Sequence, residues 1–298
     1  KKPKKVDPEL HFKIIGKELA GIFNRVLYAL TKLNKDKKFV YYKELDETLN
    51  QYIHENDVVQ QFIDDCVFYD ENVDFMIISN NPNKIEVPHY VKTLYRENIG
   101  YDFGGWSDAL LKDNVYKNYD NFIFVNSSVI GPFLPSYYKD KWTDIYINGL
   151  KNNVKLFGST INTCCNPLDK AHVQSYIFSM NKSTLEYLIH CEIFSTTYYA
   201  KTFKDAIWQK EVLMSRKIIE NNWNIGSLLP YYKDVDFTFN SKKPSEYNMK
   251  FLDDILSQQF KGTLWNNYDL VFIKGNRMNN VLKTKKNNKS LFSLYPST

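Results

Sequence analysis

The chain has 298 residues, enough for one large α/β core, and its 43% hydrophobic and 24% charged residues exclude a disordered or fibrous polymer. The net charge of +5 is carried largely near the ends, by Lys1, Lys2, Lys4 and Lys5 and by Lys283, Lys285 and Lys286, and such runs read as solvated tails. No basic stretch interleaved with aromatics supports a nucleic acid partner, and no apolar run of about 18 residues is present to span a bilayer. Cys66, Cys164, Cys165 and Cys191 lack CxxC spacing, so free thiols in a reducing, cytoplasmic setting are expected. The first residue is Lys rather than Met, as in a piece of a larger, multi-domain protein.

Leu10, Ile14, Ile15, Leu19, Ile22, Phe23, Val26, Leu27 and Leu30 recur at helical spacing, which predicts a long amphipathic helix over 8–33. After the polar break Asn34-Lys35-Asp36-Lys37-Lys38, residues Phe39 to Tyr42 read as a short strand and 43–68 as one or two helices. Val73 to Ser79 is a short apolar run stopped by Asn80-Asn81-Pro82, the pattern of a buried strand and turn. Val91 to Tyr95 predicts a second strand, 105–115 a helix, and Phe122 to Val125 a third strand. Further strands are expected at Val154 to Ser159 and Ser175 to Met180. Helices are expected over 182–191 and 204–221, a polar-surfaced helical segment over 242–259, and a loosely packed tail over 287–298. The alternation favours a mainly parallel sheet with helices on both faces, which binds ligands at the carboxyl ends of its strands.

The segment Arg96 to Trp106 follows a predicted strand and opens a predicted helix. Gly100, Gly104 and Gly105 allow a sharp turn and close approach of backbone to a ligand. A helix starting near Gly105 would offer unpaired amides to a phosphate, and Asp102 could accept hydrogen bonds from ribose hydroxyls or a base. The spacing is neither GxGxxG nor a Walker loop, and a tight turn with a capping Asp describes it equally well. Trp106 and Trp208 have faces able to stack on a sugar or base, or to pack in the core.

Downstream pieces add to this turn in a fixed order. After Glu97-Asn98-Ile99-Gly100-Tyr101-Asp102-Phe103-Gly104-Gly105-Trp106 come Phe124-Val125-Asn126-Ser127-Ser128-Val129-Ile130-Gly131-Pro132-Phe133 and Gly158-Ser159-Thr160. His172-Val173-Gln174-Ser175-Tyr176, Glu211-Val212-Leu213-Met214-Ser215-Arg216 and Phe272-Ile273-Lys274-Gly275-Asn276-Arg277 complete the set. In this order they resemble the GT-A-type glycosyltransferases, and within them the rhamnan synthesis F-like group of polysaccharide assembly. The resemblance implies a GT-A, Rossmann-like α/β fold over 38–280, with a mixed, mainly parallel sheet flanked by helices. An N-terminal basic segment and helix (1–37) and a C-terminal tail (281–298) would lie outside it. It also implies a hexosyltransferase-like enzyme that moves a sugar from a nucleotide sugar to a glycan or glycoprotein acceptor, in surface polysaccharide or glycoprotein synthesis.

On that resemblance the donor would meet Asn98, Gly100, Asp102, Gly104, Gly105, Asn126, Ser127, Ser128, Lys274 and Arg277. The acceptor would meet His172, Gln174 and Ser175. Glu211 would take the proton from the acceptor hydroxyl, with Asp205 and Asp102 as runners-up. GT-A enzymes carry a DxD motif for Mn²⁺ or Mg²⁺ after the third strand, where this chain has Asn126-Ser127-Ser128. Amide and hydroxyl oxygens are weak ligands for a hard cation, so a weak or absent metal requirement is expected, with Arg96, Lys274 or Arg277 neutralising the leaving diphosphate. The same replacement suits a non-catalytic carbohydrate- or nucleotide-binding module, and the glycine turn alone would suit another nucleotide-binding α/β protein. No GxSxG elbow is present, and the adjacent cysteines have no base nearby in sequence.

Overall fold

The computed structural model describes residues 62–80, 85–163, 170–247, 249, 259–260, 263–264 and 267–274. The helix expected over 8–33, the strand at 39–42, Cys164, Cys165, Arg277 and the tail over 287–298 lie outside the described residues. Of the helical stretch expected over 43–68, a turn of helix is described at 62–66.

The first two apolar runs form β1 (Met76–Ser79) and β2 (Lys92–Tyr95), which pair in parallel with Met76 opposite Lys92 and Ser79 opposite Tyr95. Helix α1 (Tyr101–Leu111) follows and continues as a kinked 3₁₀ turn over Lys112–Asn118. It starts before Gly104 and Gly105, not near Gly105, because Gly100 takes the left-handed conformation (φ 79°) that ends the preceding chain. β3 (Asn121–Val125) alternates exposed and inward positions, with Phe122 and Phe124 buried.

A four-stranded sheet is built from β3, β5 (Val154–Gly158), β8 (Ile177–Asn181) and β9 (Asn224–Ser227), in the order β3-β8-β5-β9. β8 runs antiparallel to both β3 and β5, while β5 and β9 are parallel. Strands β3, β5 and β9 therefore point one way, but the sheet is mixed and not the mainly parallel one that the alternation suggested. The reason lies before β8: the chain returns through a short antiparallel ladder, β6 (Ile161–Asn162) with β7 (His172–Val173), and enters β8 from the same edge without a crossover helix. A second clasp, β4 (Val129–Ile130) with β12 (Ile273–Lys274), sets Lys274 opposite Val129. Between them in sequence lie the short hairpin β10 (Gln259–Phe260) and β11 (Thr263–Leu264). The helix expected over 242–259 is a 3₁₀ turn at Pro244–Glu246 at its described start and strand β10 at its end.

Three further helices cover the sheet. α2 (Trp142–Asn148), to which sequence periodicity assigned nothing, buries Trp142 and Tyr146 beside Phe272. α3 (Lys182–His190) is capped by Asn181, whose side chain accepts from the Thr184 amide at 3.0 Å. α4 is a continuous helical run made of Phe203–Asp205, a π-helical stretch over Ala206–Val212, and Leu213–Glu220. Thr202 and Asp205 form a capping box at its start.

The core sits between the sheet and α1, α3 and α4 and is dominated by rings. Phe124 and Phe178 are register partners on β3 and β8, stacked with centroids 4.8 Å apart. Trp106 meets them edge-on at 5.5 and 5.4 Å. Its burial places its ring in the core. Phe178→Ala empties the centre of this stack and should lower unfolding free energy by about 3–5 kcal/mol in urea titration. Tyr137→Ala, at a side chain 81% exposed, should stay within about 0.5 kcal/mol of the unaltered chain.

Candidate functional site

Because β3, β5 and β9 point the same way, their carboxyl ends share one edge with the amino end of β8. Asn126 and Ser128 follow β3, Ser159 and Thr160 follow β5, and Gln174, Ser175 and Tyr176 precede β8. The Asn126 amide N–H donates to the Tyr176 carbonyl at 3.0 Å and carries the β3–β8 ladder one step past the strands. Thr160 Oγ1 lies 2.8 Å from Gln174 Oε1 and 3.0 Å from the Tyr176 hydroxyl. Asn126 is buried and bridges inward and outward: its Oδ1 accepts from the Ser128 amide at 3.0 Å and from the Ser128 hydroxyl, and its Nδ2 donates to Asp102 Oδ2 at 3.1 Å.

Glu211 enters from the π-helical stretch of α4, a kind of insertion frequent at functional sites. Its Oε1 accepts from the Ser175 amide at 2.6 Å, which fixes the carboxylate at the amino end of β8. Burial works to raise its pKa, but the nearby charges of His172 and Lys274, with the Ser175 amide, outweigh it and leave the carboxyl below the ordinary glutamate range. Lys274 reaches this position because β12 lays it against Val129, next to Ser128. His172 is buried on β7 with Nδ1 2.7 Å from the Lys170 carbonyl. The pieces on either side of β8 thus meet: Asp102, Asn126 and Ser128 on one hand, Glu211, Ser175, Gln174, His172 and Lys274 on the other.

The glycine turn is braced from behind. Gly100 and Tyr101 both have positive φ, 79° and 57°, and a side chain at Gly100 would meet the Tyr199 ring at 2.6 Å. A Cβ at Gly104 would stand 2.1 Å from the Ile99 carbonyl oxygen, whereas one at Gly105 finds its nearest neighbour at an ordinary 3.4 Å. Gly100 and Gly104 therefore have packing reasons to be glycine, independent of any ligand. Arg96, expected among the diphosphate cations, is committed to this brace: Nε donates to Asp108 Oδ2 at 2.6 Å and Nη2 to the Ile99 carbonyl at 2.7 Å. Asp108 also accepts from the Tyr199 hydroxyl at 2.5 Å, and burial, with Asp108 beside it, pushes the Tyr199 pKa up to about 12.

Sequence reasoning missed Tyr199 and Lys210, which carry no motif. Lys210 is only 2% exposed, and its ammonium donates to the carbonyls of Glu192 at 2.6 Å and Tyr198 at 2.9 Å while lying 4.9 Å from the Tyr198 ring centre. It anchors the segment that delivers Tyr199 to the glycine turn. Asp205, a runner-up base, is the reciprocal partner of the N-cap Thr202 in the α4 capping box and accepts from the Thr202 amide and hydroxyl at 3.0 and 2.8 Å. Asn98 and Ser127 are exposed, and Asn98 receives an Asn80 amide bond at 3.3 Å on the β1–β2 side.

Among the described residues no group of three or more His, Cys, Asp or Glu side chains could hold a metal ion. At the position of the DxD carboxylates, Asn126 Oδ1 already accepts from Ser128. This donor set does not fit a hard divalent cation.

Gly104→Ala should destabilise the chain by several kcal/mol, since backbone must move, while Gly105→Ala should be neutral or stabilising by up to about 1 kcal/mol; thermal denaturation of both variants separates them. Burial lowers the Lys210 pKa from 10.5 to about 8. The unfolded chain therefore holds this proton up to a higher pH than the folded chain does. The contribution of Lys210 to stability should rise as pH climbs from about 8 to 10.5 and be lost as pH falls through the lower value. The stability difference between the unaltered chain and Lys210→Met, measured by urea titration across that window, should show this slope.

No curated protein and no solved structure matches the chain. Among the described residues no helix is long and apolar enough to cross a membrane. The family model of rhamnan synthesis protein F matches residues 75–258, more than half of the chain and the stretch holding Asp102, Asn126, Ser175 and Glu211. The chain belongs to the rhamnan synthesis protein F family, and its role lies in polysaccharide synthesis.

Proposed function

We propose that the chain is a nucleotide-sugar-dependent glycosyltransferase with a GT-A-like arrangement, whose donor lies at the Asp102–Asn126–Ser128 edge and whose acceptor lies at His172, Gln174 and Ser175. The observation that supports this reading best is the Glu211 carboxylate, held by the Ser175 amide at 2.6 Å at the shared edge of three strands, with Lys274 close enough to lower its pKa.

In the proposed reaction the acceptor hydroxyl oxygen attacks the anomeric carbon while its proton passes to Glu211. The bond from that carbon to the diphosphate oxygen breaks, and its electron pair leaves on the nucleoside diphosphate. Lys274 would neutralise the charge that develops on the departing oxygen. Asp102, on the first turn of α1 and bonded to the Asn126 side chain, would lie on the ribose side of the donor.

Glu211→Gln preserves an oxygen to accept the Ser175 amide but removes the base, and should cut turnover by about 10² to 10⁴-fold with the fold intact by circular dichroism. Because the carboxyl pKa lies below its ordinary 4.5, the carboxylate is the ready form at neutral pH, and the acid limb of kcat/KM should fall below pH 4.5. Near-normal turnover by the Gln variant would sink the assignment of the base. Calorimetry against UDP-, GDP-, CMP- and dTDP-sugars tests the donor site itself: the reading fails if none binds. Binding of one without transfer or hydrolysis would instead favour a non-catalytic module.

A further inference from the structure

Of the large apolar side chains strongly exposed among the described residues, Tyr198, Phe203 and Trp208 fall within eleven residues of one another on α4 and its approach. Phe203 is 55% exposed and Trp208 44%, and both stand on the helix that carries Glu211. Each is tied to one half of the site. Phe203 packs against Tyr101 with ring centres 6.2 Å apart, beside Asp102. Trp208 lies beneath the Lys170 ammonium, 5.6 Å from ring centre to nitrogen, and the carbonyl of the same Lys170 is 2.7 Å from His172 Nδ1.

We propose that Phe203 and Trp208 form a stacking platform for successive sugar rings of the acceptor glycan, an acceptor subsite that rests on the transferase reading above. A pyranose presents an apolar C–H face with hydroxyls around its rim, and it is held by an aromatic face surrounded by hydrogen-bonding side chains. Lys204, which follows Phe203 in sequence, and Gln209, which follows Trp208, are both exposed. These polar interruptions break up the apolar area that a protein partner would cover. A nucleobase is a poorer occupant, because two separate faces along a helix suit a chain of rings better than one flat ligand. The position also suits the acceptor, since Trp208 and Glu211 share the Ala206–Val212 stretch of α4.

The test is calorimetry of the full 298-residue chain with a rhamnose oligosaccharide as probe, using variants checked for folding by thermal denaturation. The unaltered chain should bind the probe. Trp208→Ala should weaken binding about tenfold or more, Phe203→Ala by a smaller factor, and Trp208→Phe, which keeps an aromatic face, should restore most of the affinity. Equal affinity in Trp208→Ala, or no binding by the unaltered chain, overturns the platform. So does a change of elution volume on size exclusion caused by Trp208→Ala alone, which would identify the surface as an interface between copies. Trp208-dependent oligosaccharide binding in a chain that binds no nucleotide sugar would remove the transferase reading and leave the platform standing.

Discussion

The register of β3 against β8 is the constraint on which the site depends. Phe122 faces Met180, Phe124 faces Phe178 and Val125 faces Ile177, so the inward positions of β3 fall on a strand that is itself buried along most of its length. A slip by one residue would turn Phe122 and Phe124 out of the core and break the stacked pair at its centre. The same register places Asn126 opposite Tyr176, whose carbonyl accepts the Asn126 amide. From that bond Asp102 follows in one direction, through the Asn126 side chain, and Glu211 in the other, through the Ser175 amide. Packing of apolar rings thus sets the spacing of two carboxylates that lie far apart in sequence.

The glycine turn shows a second constraint, acting from outside the site. Two consecutive residues with positive φ, one of them Tyr101, are unfavourable in isolation and persist where surrounding structure over-determines them. Here the surroundings are Arg96, Asp108 and Tyr199, joined by ionic and hydroxyl hydrogen bonds. Lys210 holds the segment that carries Tyr199, and its neighbour in sequence is Glu211. One stretch of π-helix therefore supports both halves: it presents Glu211 to β8 and, through Lys210, fixes the wall against which the turn bearing Asp102 is folded.

The parts legible in the sequence are those where a local signal and the tertiary outcome coincide. Met76–Ser79 and Asn121–Val125 are short apolar runs ended by polar turns, and both are strands. Lys182–His190 and Phe203–Glu220 show helical spacing and are helical. The direction of β8 was not legible, because an antiparallel return through β6 and β7 has no periodicity that separates it from a parallel crossover. Glycine by type predicts a turn, which sets the start of α1 too late, whereas Gly104 is required inside the helix by the closeness of the Ile99 carbonyl. The charge of Arg96 alone suggests an anionic ligand, and only the fold reveals its partner Asp108 on α1. Glu211, Asn126 and Asp102 could be picked out through the order of several pieces, though no spacing between them predicts that they share an edge.

The electrostatics of the edge bind these residues into one system. Lys274 and His172 carry the charges that lower the Glu211 pKa, and β12 sets Lys274 opposite Val129, the residue after Ser128. On the transferase reading, an arriving diphosphate shares the field of the same cations, and its own negative charge lies close to the Glu211 carboxylate. Both effects raise the pKa of Glu211 from its depressed value toward one better suited to accept a proton. On that reading a carboxylate in place of Asn126 would compete with the leaving group for Lys274.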